Sequence, residues 1–315
     1  MKLHRISLLA GSLALMGTNA YADPPSVVAS IKPVHSLVAG VMQGIGTPSL
    51  IVEGGGSPHS YSLRPSHARA LQNADVIFWV GPNLETFLDR PIDSLGDKAH
   101  VASLMDAHGL RHVAFREGGP FEDHAHGDHA KDKHDDHDHH DAERDAHIWL
   151  DPENAKAIAH EIAEVLGKAD PDNAARYEAN ADALMKRIDA LSAKVRESLE
   201  PVHERPFIVF HDAYQHFERR FDLKAAGSIT VSPEIIPGAE RVADIRRKVE
   251  SLGATCVFSE PQFTPRLVNI VTDGTAAKSG VLDPLGSAIP DGPDLWFTLM
   301  QNMASSIRTC LTPTG

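Results

Sequence analysis

The chain has 315 residues, 42% of them hydrophobic and 23% charged, which is enough apolar material for two globular domains of about 100–150 residues each. Its formal net charge of -13 repels a phosphate backbone and so excludes nucleic acid as the expected partner. Nineteen histidines are far more than this length ordinarily carries, and they are the first pointer to metal chemistry.

The amino end reads as a secretory signal peptide, residues 1–22. Lys2 and Arg5 supply the positive start, Ile6 to Met16 the apolar run, and Ala20-Tyr21-Ala22 the small-x-small cleavage pattern. The run is about half the ~20 residues that span a bilayer, and no later segment reaches that length. The expected product is a soluble periplasmic chain starting at Asp23. In such an oxidising compartment an even count of cysteines, Cys256 and Cys310, favours a disulfide over two buried thiols.

Short runs rich in Val, Ile and Phe follow: Val27–Ile31, Leu50–Val52, Val76–Val80, then Phe207–Phe210, Cys256–Phe258 and Val281–Leu282. They alternate with helical patterns, and strands alternating with helices imply mainly parallel sheets flanked by helices, an α/β fold. The alternation falls in two blocks. Between them, Asp170-Pro171 opens a helix in which Tyr177, Leu184, Ile188, Leu191, Val195 and Leu199 recur at helical spacing. About 30 helical residues make about 45 Å, which suits a strut between two lobes. The expected organisation is an N-terminal metal-binding lobe over 23–168, a linking helix over 169–202 and a C-terminal lobe over 203–315.

Residues 123–145 are low in complexity, with seven histidines (His124, His126, His129, His134, His137, His139, His140) and nine acids against three basic residues, a local charge of -6. Such a stretch has almost nothing to bury and reads as a disordered loop that collects metal ions weakly. A selective site needs ligands on rigid elements. In parallel sheets ligands bind beyond the carboxyl ends of the strands, and four candidates stand at such points. His59 follows Leu50–Val52 and a Gly-rich turn, and His147 precedes a helix. His211 ends Phe207–Phe210, and Asp283 ends Val281–Leu282. Three imidazoles and a carboxylate make a chemically sensible zinc site. Asp151, before Pro152, reads as a helix N-cap, and Asp212 and Asp75 as structural or solvated. His35, His67, His160, His203 and His216 receive no role. No His-Glu-x-x-His or Gly-x-Ser-x-Gly pattern occurs, so the chain is not expected to be an enzyme, and Glu260 reads as a turn residue.

Several short motifs carry a resemblance. They are Ile31-Lys32-Pro33-Val34-His35-Ser36-Leu37-Val38, His59 with Tyr61-Ser62-Leu63-Arg64-Pro65-Ser66, Trp79-Val80-Gly81-Pro82 and His147-Ile148-Trp149-Leu150-Asp151-Pro152. Phe210-His211-Asp212-Ala213-Tyr214, Glu260-Pro261-Gln262-Phe263 and Leu282-Asp283-Pro284-Leu285-Gly286 continue them. In their order and spacing the chain resembles the ZnuA family, periplasmic zinc-binding components of ATP-binding cassette uptake systems within the metal-specific solute-binding proteins (cluster 9, or A-I). The resemblance implies two α/β lobes joined by one long rigid helix, Zn(II) captured between them, and delivery to an inner-membrane permease with its ATPase. It makes His59, His147 and His211 the zinc ligands, and the family's disulfide matches Cys256 and Cys310. The fourth ligand is left to Asp283 or a water, with Asp283 preferred, since Pro58 and Ser60 flank His59. A histidine at position 211, where manganese-specific relatives carry a glutamate, favours zinc. A periplasmic metallochaperone is a further candidate partner, and the chain is expected to act as a monomer. The rival readings are a manganese-specific relative, a surface adhesin or a periplasmic metal buffer.

Overall fold

The computed structural model describes residues 23–116, 121, 144–230, 232–253 and 255–313. The expected signal peptide and all seven histidines of the His/Asp-rich stretch lie outside them. Among the described residues no helix is long and apolar enough to cross a membrane.

The first sheet consists of β1 (Val27–Ile31), β2 (Ser49–Val52), β3 (Val76–Trp79) and β4 (His100–Ser103) in the order β2-β1-β3-β4. The second has β5 (Phe207–His211), β6 (Ala225–Thr230), β7 (Cys256–Ser259) and β8 (Lys278–Val281) in the order β6-β5-β7-β8. Every pairing is parallel, with Ala29 opposite Leu50 and Val209 opposite Ser228. In each sheet the chain steps to one side and then the other of its first strand, so a crevice opens at the carboxyl ends between β1 and β3 and between β5 and β7. Helices α1 (Lys32–Val41), α2 (Pro65–Gln72), α3 (Asp89–Leu95) and α4 (Pro152–Ala169) accompany the first sheet. Helix α5 (Ala174–Leu199) is the strut, and α6 (Gln215–Phe221), α7 (Ala239–Leu252), α8 (Arg266–Thr272) and α9 (Leu295–Leu311) follow.

The apolar runs expected as strands are strands, with β8 lying a few residues ahead of Val281–Leu282. The alternation missed β4 and β6. β4 is a partly exposed edge strand, and β6 reads Ala-Ala-Gly-Ser-Ile-Thr, too small and polar to announce a buried strand although most of it is buried. The strut has 26 residues, about 39 Å at 1.5 Å per residue, flanked by 3-10 turns at 171–173 and 200–202. Asp170 Oδ2 accepts from Asn173 Nδ2 (2.8 Å) and Tyr177 Oη (3.0 Å), which pins the chain before α5 begins. Tyr177, Ala181, Leu184, Ile188, Leu191, Val195 and Leu199 are buried along one face, against α4, α1 and α9.

One apolar core runs through both lobes. Side chains alternate along a strand, so Phe207 and Val209 of β5 join the large core shared with the first lobe, while Ile208 and Phe210 face a smaller core under α7 and α8. Helix α9 belongs to the second half of the sequence yet packs on α1 and α5. Trp296 donates through its backbone N–H to Ser36 Oγ (3.0 Å) and through Nε1 to Trp149 O (2.9 Å). Cys256 and Cys310 form a disulfide between the start of β7 and the last turn of α9.

Candidate metal centre

Three expected ligands come together from three elements. After β2, Gly54 takes φ +59°, and a Cβ on Gly56 would sit 2.7 Å from the Tyr61 ring, so this turn favours glycine as it swings the chain to His59. The backbone N–H of His59 donates to Ser57 Oγ (3.3 Å). His147 stands just before the 3-10 turn 148–150 and α4, whose N-cap is Asp151, accepting from Glu153 N (2.9 Å) as expected. His211 is the last residue of β5, at the crevice between β5 and β7.

Ligand nitrogens of the three rings lie within 4.8 Å of one another, and His147 Nε2 is 3.3 Å from His211 Nε2. A tetrahedral ion with bonds of about 2.05 Å to nitrogen sets adjacent nitrogens about 3.3 Å apart. His147 and His211 are buried, His59 half-buried. Trp149, Gln262, Phe263, Pro284 and Leu285 complete a small lining.

Two carboxylates fix the chemistry. His147 Nδ1 is 2.7 Å from Asp145 Oδ1, and His211 Nδ1 is 2.7 Å from Glu260 Oε1. A carboxylate only accepts, so each Nδ1 carries the proton and each Nε2 presents its lone pair to the centre. With both rings neutral, the two Nε2 atoms cannot hydrogen-bond to each other and both lone pairs face a cation; with His211 protonated, its Nε2–H donates to His147 Nε2 instead. Burial would push the Asp145 carboxyl up, but the His147 imidazole and its hydrogen bond bring it below the usual range. Burial likewise opposes a charge on His211, yet Glu260 outweighs it and raises that imidazole. Burial together with the other two imidazoles holds His59 well below its ordinary value, so this ring stays neutral and ready to coordinate.

Asp283 does not join the group. Its Oδ1 accepts from Gln262 Nε2 (2.9 Å), Leu285 N (3.1 Å) and Gly286 N (3.0 Å), and its Oδ2 from Ser287 N and Oγ (both 2.7 Å). Both oxygens are spent on the turn that follows β8, leaving no lone pair for an ion. This corrects the expectation of Asp283 as fourth ligand. Three other residues do more than the sequence announces. Asp145 ends the His/Asp-rich stretch in composition but is fully buried, its N–H bonded to Val113 O (2.8 Å). Glu260 opens a turn as expected, its carbonyl accepting from Phe263 N (3.1 Å), and its side chain also braces His211 from the end of β7. Its place after a strand was the available signal. His216, left without a role, is buried with Nε2 3.1 Å from Asp145 O. Another His/Glu group, His108 with Glu161 and Glu164, is largely exposed, and Lys168 Nζ occupies Glu164 at 2.7 Å.

Two parallel α/β lobes on one long helix, with a ligand group in the crevice between them, define a two-lobed solute-binding protein. The profile of the ZnuA family, zinc-uptake complex component A, periplasmic, matches residues 27–310, and the chain belongs to this family. It is 54% identical to the high-affinity zinc uptake system protein ZnuA of Brucella suis biovar 1 (strain 1330), over 98% of this chain and 99% of that protein. It is 36% identical to the Yersinia pestis protein of the same name, over 97% and 96%. The fold matches the periplasmic zinc-binding protein TroA from Treponema pallidum with a TM-score of 0.77 and 20% identity, covering 92% of this chain and all of that one.

Proposed function

We propose that this chain is the periplasmic zinc-binding component of a high-affinity zinc import system. It captures Zn(II) between its lobes and delivers it to an inner-membrane permease driven by an ATPase. The observation that carries this reading is the convergence of His59, His147 and His211 with two Nε2 atoms 3.3 Å apart and their Nδ1 atoms bonded to carboxylates. Three nitrogen donors suit zinc better than manganese, which prefers oxygen. The fourth coordination position falls to water. Glu260, the carboxylate at the cavity wall, is engaged by His211, which supports a binding role rather than hydrolysis.

Residues 1–22 act as the export signal in this reading, and the His/Asp-rich stretch concentrates zinc near the cleft through its charge and weak imidazole ligands. The chain works as a monomer, and a periplasmic metallochaperone is a further partner. Zinc titration against a chelator, on the mature chain and on His147→Ala and His211→Ala, tests the site. Zinc uptake into cells lacking the chain, with and without its permease, tests the transport role and separates it from a metal buffer or an adhesin. A mature chain that binds zinc no more tightly than its histidine variants would overturn the reading.

A further inference from the structure

Two arginines cross between the lobes beside the metal centre, in opposite directions. Arg116 comes from the segment that packs on the first lobe, where Asp145 N donates to Val113 O (2.8 Å) and Arg111 N to Asn154 Oδ1 (2.8 Å) of α4. Its guanidinium reaches the second lobe. Nε donates to Asp212 Oδ2 (3.0 Å), Nη2 also donates to Asp212 Oδ1, and Nη1 and Nη2 donate to Glu218 Oε2 and Oε1 (2.9 Å each). Both acids are buried, and the Phe121 ring lies over the guanidinium at 3.9 Å. Asp212 directly follows His211. Glu218 Oε2 also accepts from Ala225 N (2.8 Å), which ties the cluster to β6.

Arg220, two residues beyond Glu218 on α6, makes the return crossing. Its Nε donates to Asp151 Oδ1 (2.6 Å) and its Nη2 to Asp151 Oδ2 (3.0 Å), and Asp151 caps the helix that begins just after His147. Each lobe therefore sends one forked cation to an acid standing one or four residues from a ligand of the other lobe. Planar guanidinium paired to carboxylate along two bonds is strongly directional. Removing one partner of a buried pair leaves an uncompensated charge, so neither contact opens easily. These bonds are made by protein groups alone. An ion held between His147 and His211 is released faster when those ligands part, and the two arginines resist that parting.

We propose that Arg116 and Arg220 are positioning residues that clasp the lobes across the metal cleft and set the rate at which zinc leaves it. The proposal rests on the zinc-binding reading of the site and adds to it the groups that govern release. Its sign separates it from simple electrostatics. Taking away the Arg116 charge makes the surroundings of the ion more negative, which by Coulomb's law alone would hold a dication more tightly. Loss of a clasp releases it faster.

The test follows zinc release from the loaded mature chain into excess chelator by stopped flow. Arg116→Met and Arg220→Met are compared with Arg116→Lys, and with the triple variant R116M/D212N/E218Q. The triple variant leaves no buried carboxylate unpaired. Because it makes the surroundings of the ion one charge more positive, its faster release is expected from Coulomb's law too, so it tests the clasp only through the absence of an effect, and the single methionine variants carry the sign. Release about 10-fold faster or more is expected for Arg116→Met, Arg220→Met and the triple variant, with Arg116→Lys in between. A folded triple variant releasing zinc at the wild-type rate, or an Arg116→Met chain releasing it more slowly, would overturn the proposal. A wild-type chain with no tight, histidine-dependent zinc site would fail at the titration, before any rate is measured, and that failure belongs to the functional reading.

Discussion

The three ligands proposed for the metal centre are held in two ways. His147 and His211 are buried, and each has its Nδ1 against a carboxylate at 2.7 Å. His59 is half-buried on a glycine-rich turn, and among the described residues no carboxylate braces its ring. The pair is pre-organised in tautomer and direction, whereas the third ligand depends on its turn and its backbone bond to Ser57. A site built this way has two fixed teeth and one that adapts.

Substitutions sharpen this contrast, the largest effect first. His147→Ala or His211→Ala removes a direct bond on a fixed frame and should cost more than about 100-fold in zinc affinity, with His59→Ala costing less. Chelator competition checks the ranking, and equal losses at all three positions would erase the distinction. Asp145→Asn and Glu260→Gln keep the ligands but release their rings, and each should cost about 10–100-fold in affinity. Wild-type affinity in both would show that the carboxylates only fill space.

The lobes also differ in how they bury acids. Asp212 and Glu218 share Arg116, but Glu85 in the first lobe is wholly buried with neutral donors, Ser30 Oγ, Gly81 N (2.9 Å) and Val80 N (3.3 Å). Burial raises its carboxyl from 4.5 to about 7 against the pull of those bonds. The native state thus holds this proton more tightly than the unfolded chain does. Its contribution is complete below the unfolded value near 4.5 and is lost as pH rises through about 7, a change of up to about 3 kcal/mol. Thermal unfolding between pH 5 and 8 should therefore show a fall from about pH 5 to 7 that levels off above 7 and that Glu85→Gln flattens, whereas a profile shared by both chains would exclude Glu85 as its source.

Reduction of Cys256–Cys310 should lower stability by about 2–4 kcal/mol and leave zinc affinity nearly unchanged, as thermal unfolding and titration of the Cys256→Ser/Cys310→Ser chain would show. The smallest effect on the tight site belongs to deletion of residues 122–143. It should remove the weak zinc equivalents and spare the tight one, provided that the cut stops before Asp145. The same deletion carried through 145 should damage the site through His147.

Strands made of Val, Ile and Phe could be read directly, because burial on both faces demands those side chains. So could the three histidines, since each stands where a strand or turn delivers its chain to the crevice. That positional rule also nominated Asp283. A sequence shows that a carboxylate follows a strand, but not that the turn Asp283-Pro284-Leu285-Gly286-Ser287 aims its N–H groups back at that carboxylate. Asp145 was hidden for the opposite reason. It sits among so many acids that composition masks its buried contacts with His147, Val113 and His216. The Arg116 crossing joins residues 96 apart, a pairing no local pattern announces.

The packing of α9 has a consequence for how the chain reaches its native state. Trp296 is fully buried against the α1 and Trp149 region, so the last helix is part of the wall of the first lobe. In a polypeptide emerging amino end first, that wall stays open to water until Leu295–Leu311 has appeared. Neither half can close its interior early as a finished domain. Closure of the first lobe thereby waits for α9, an order of events that would suit the export proposed for this chain.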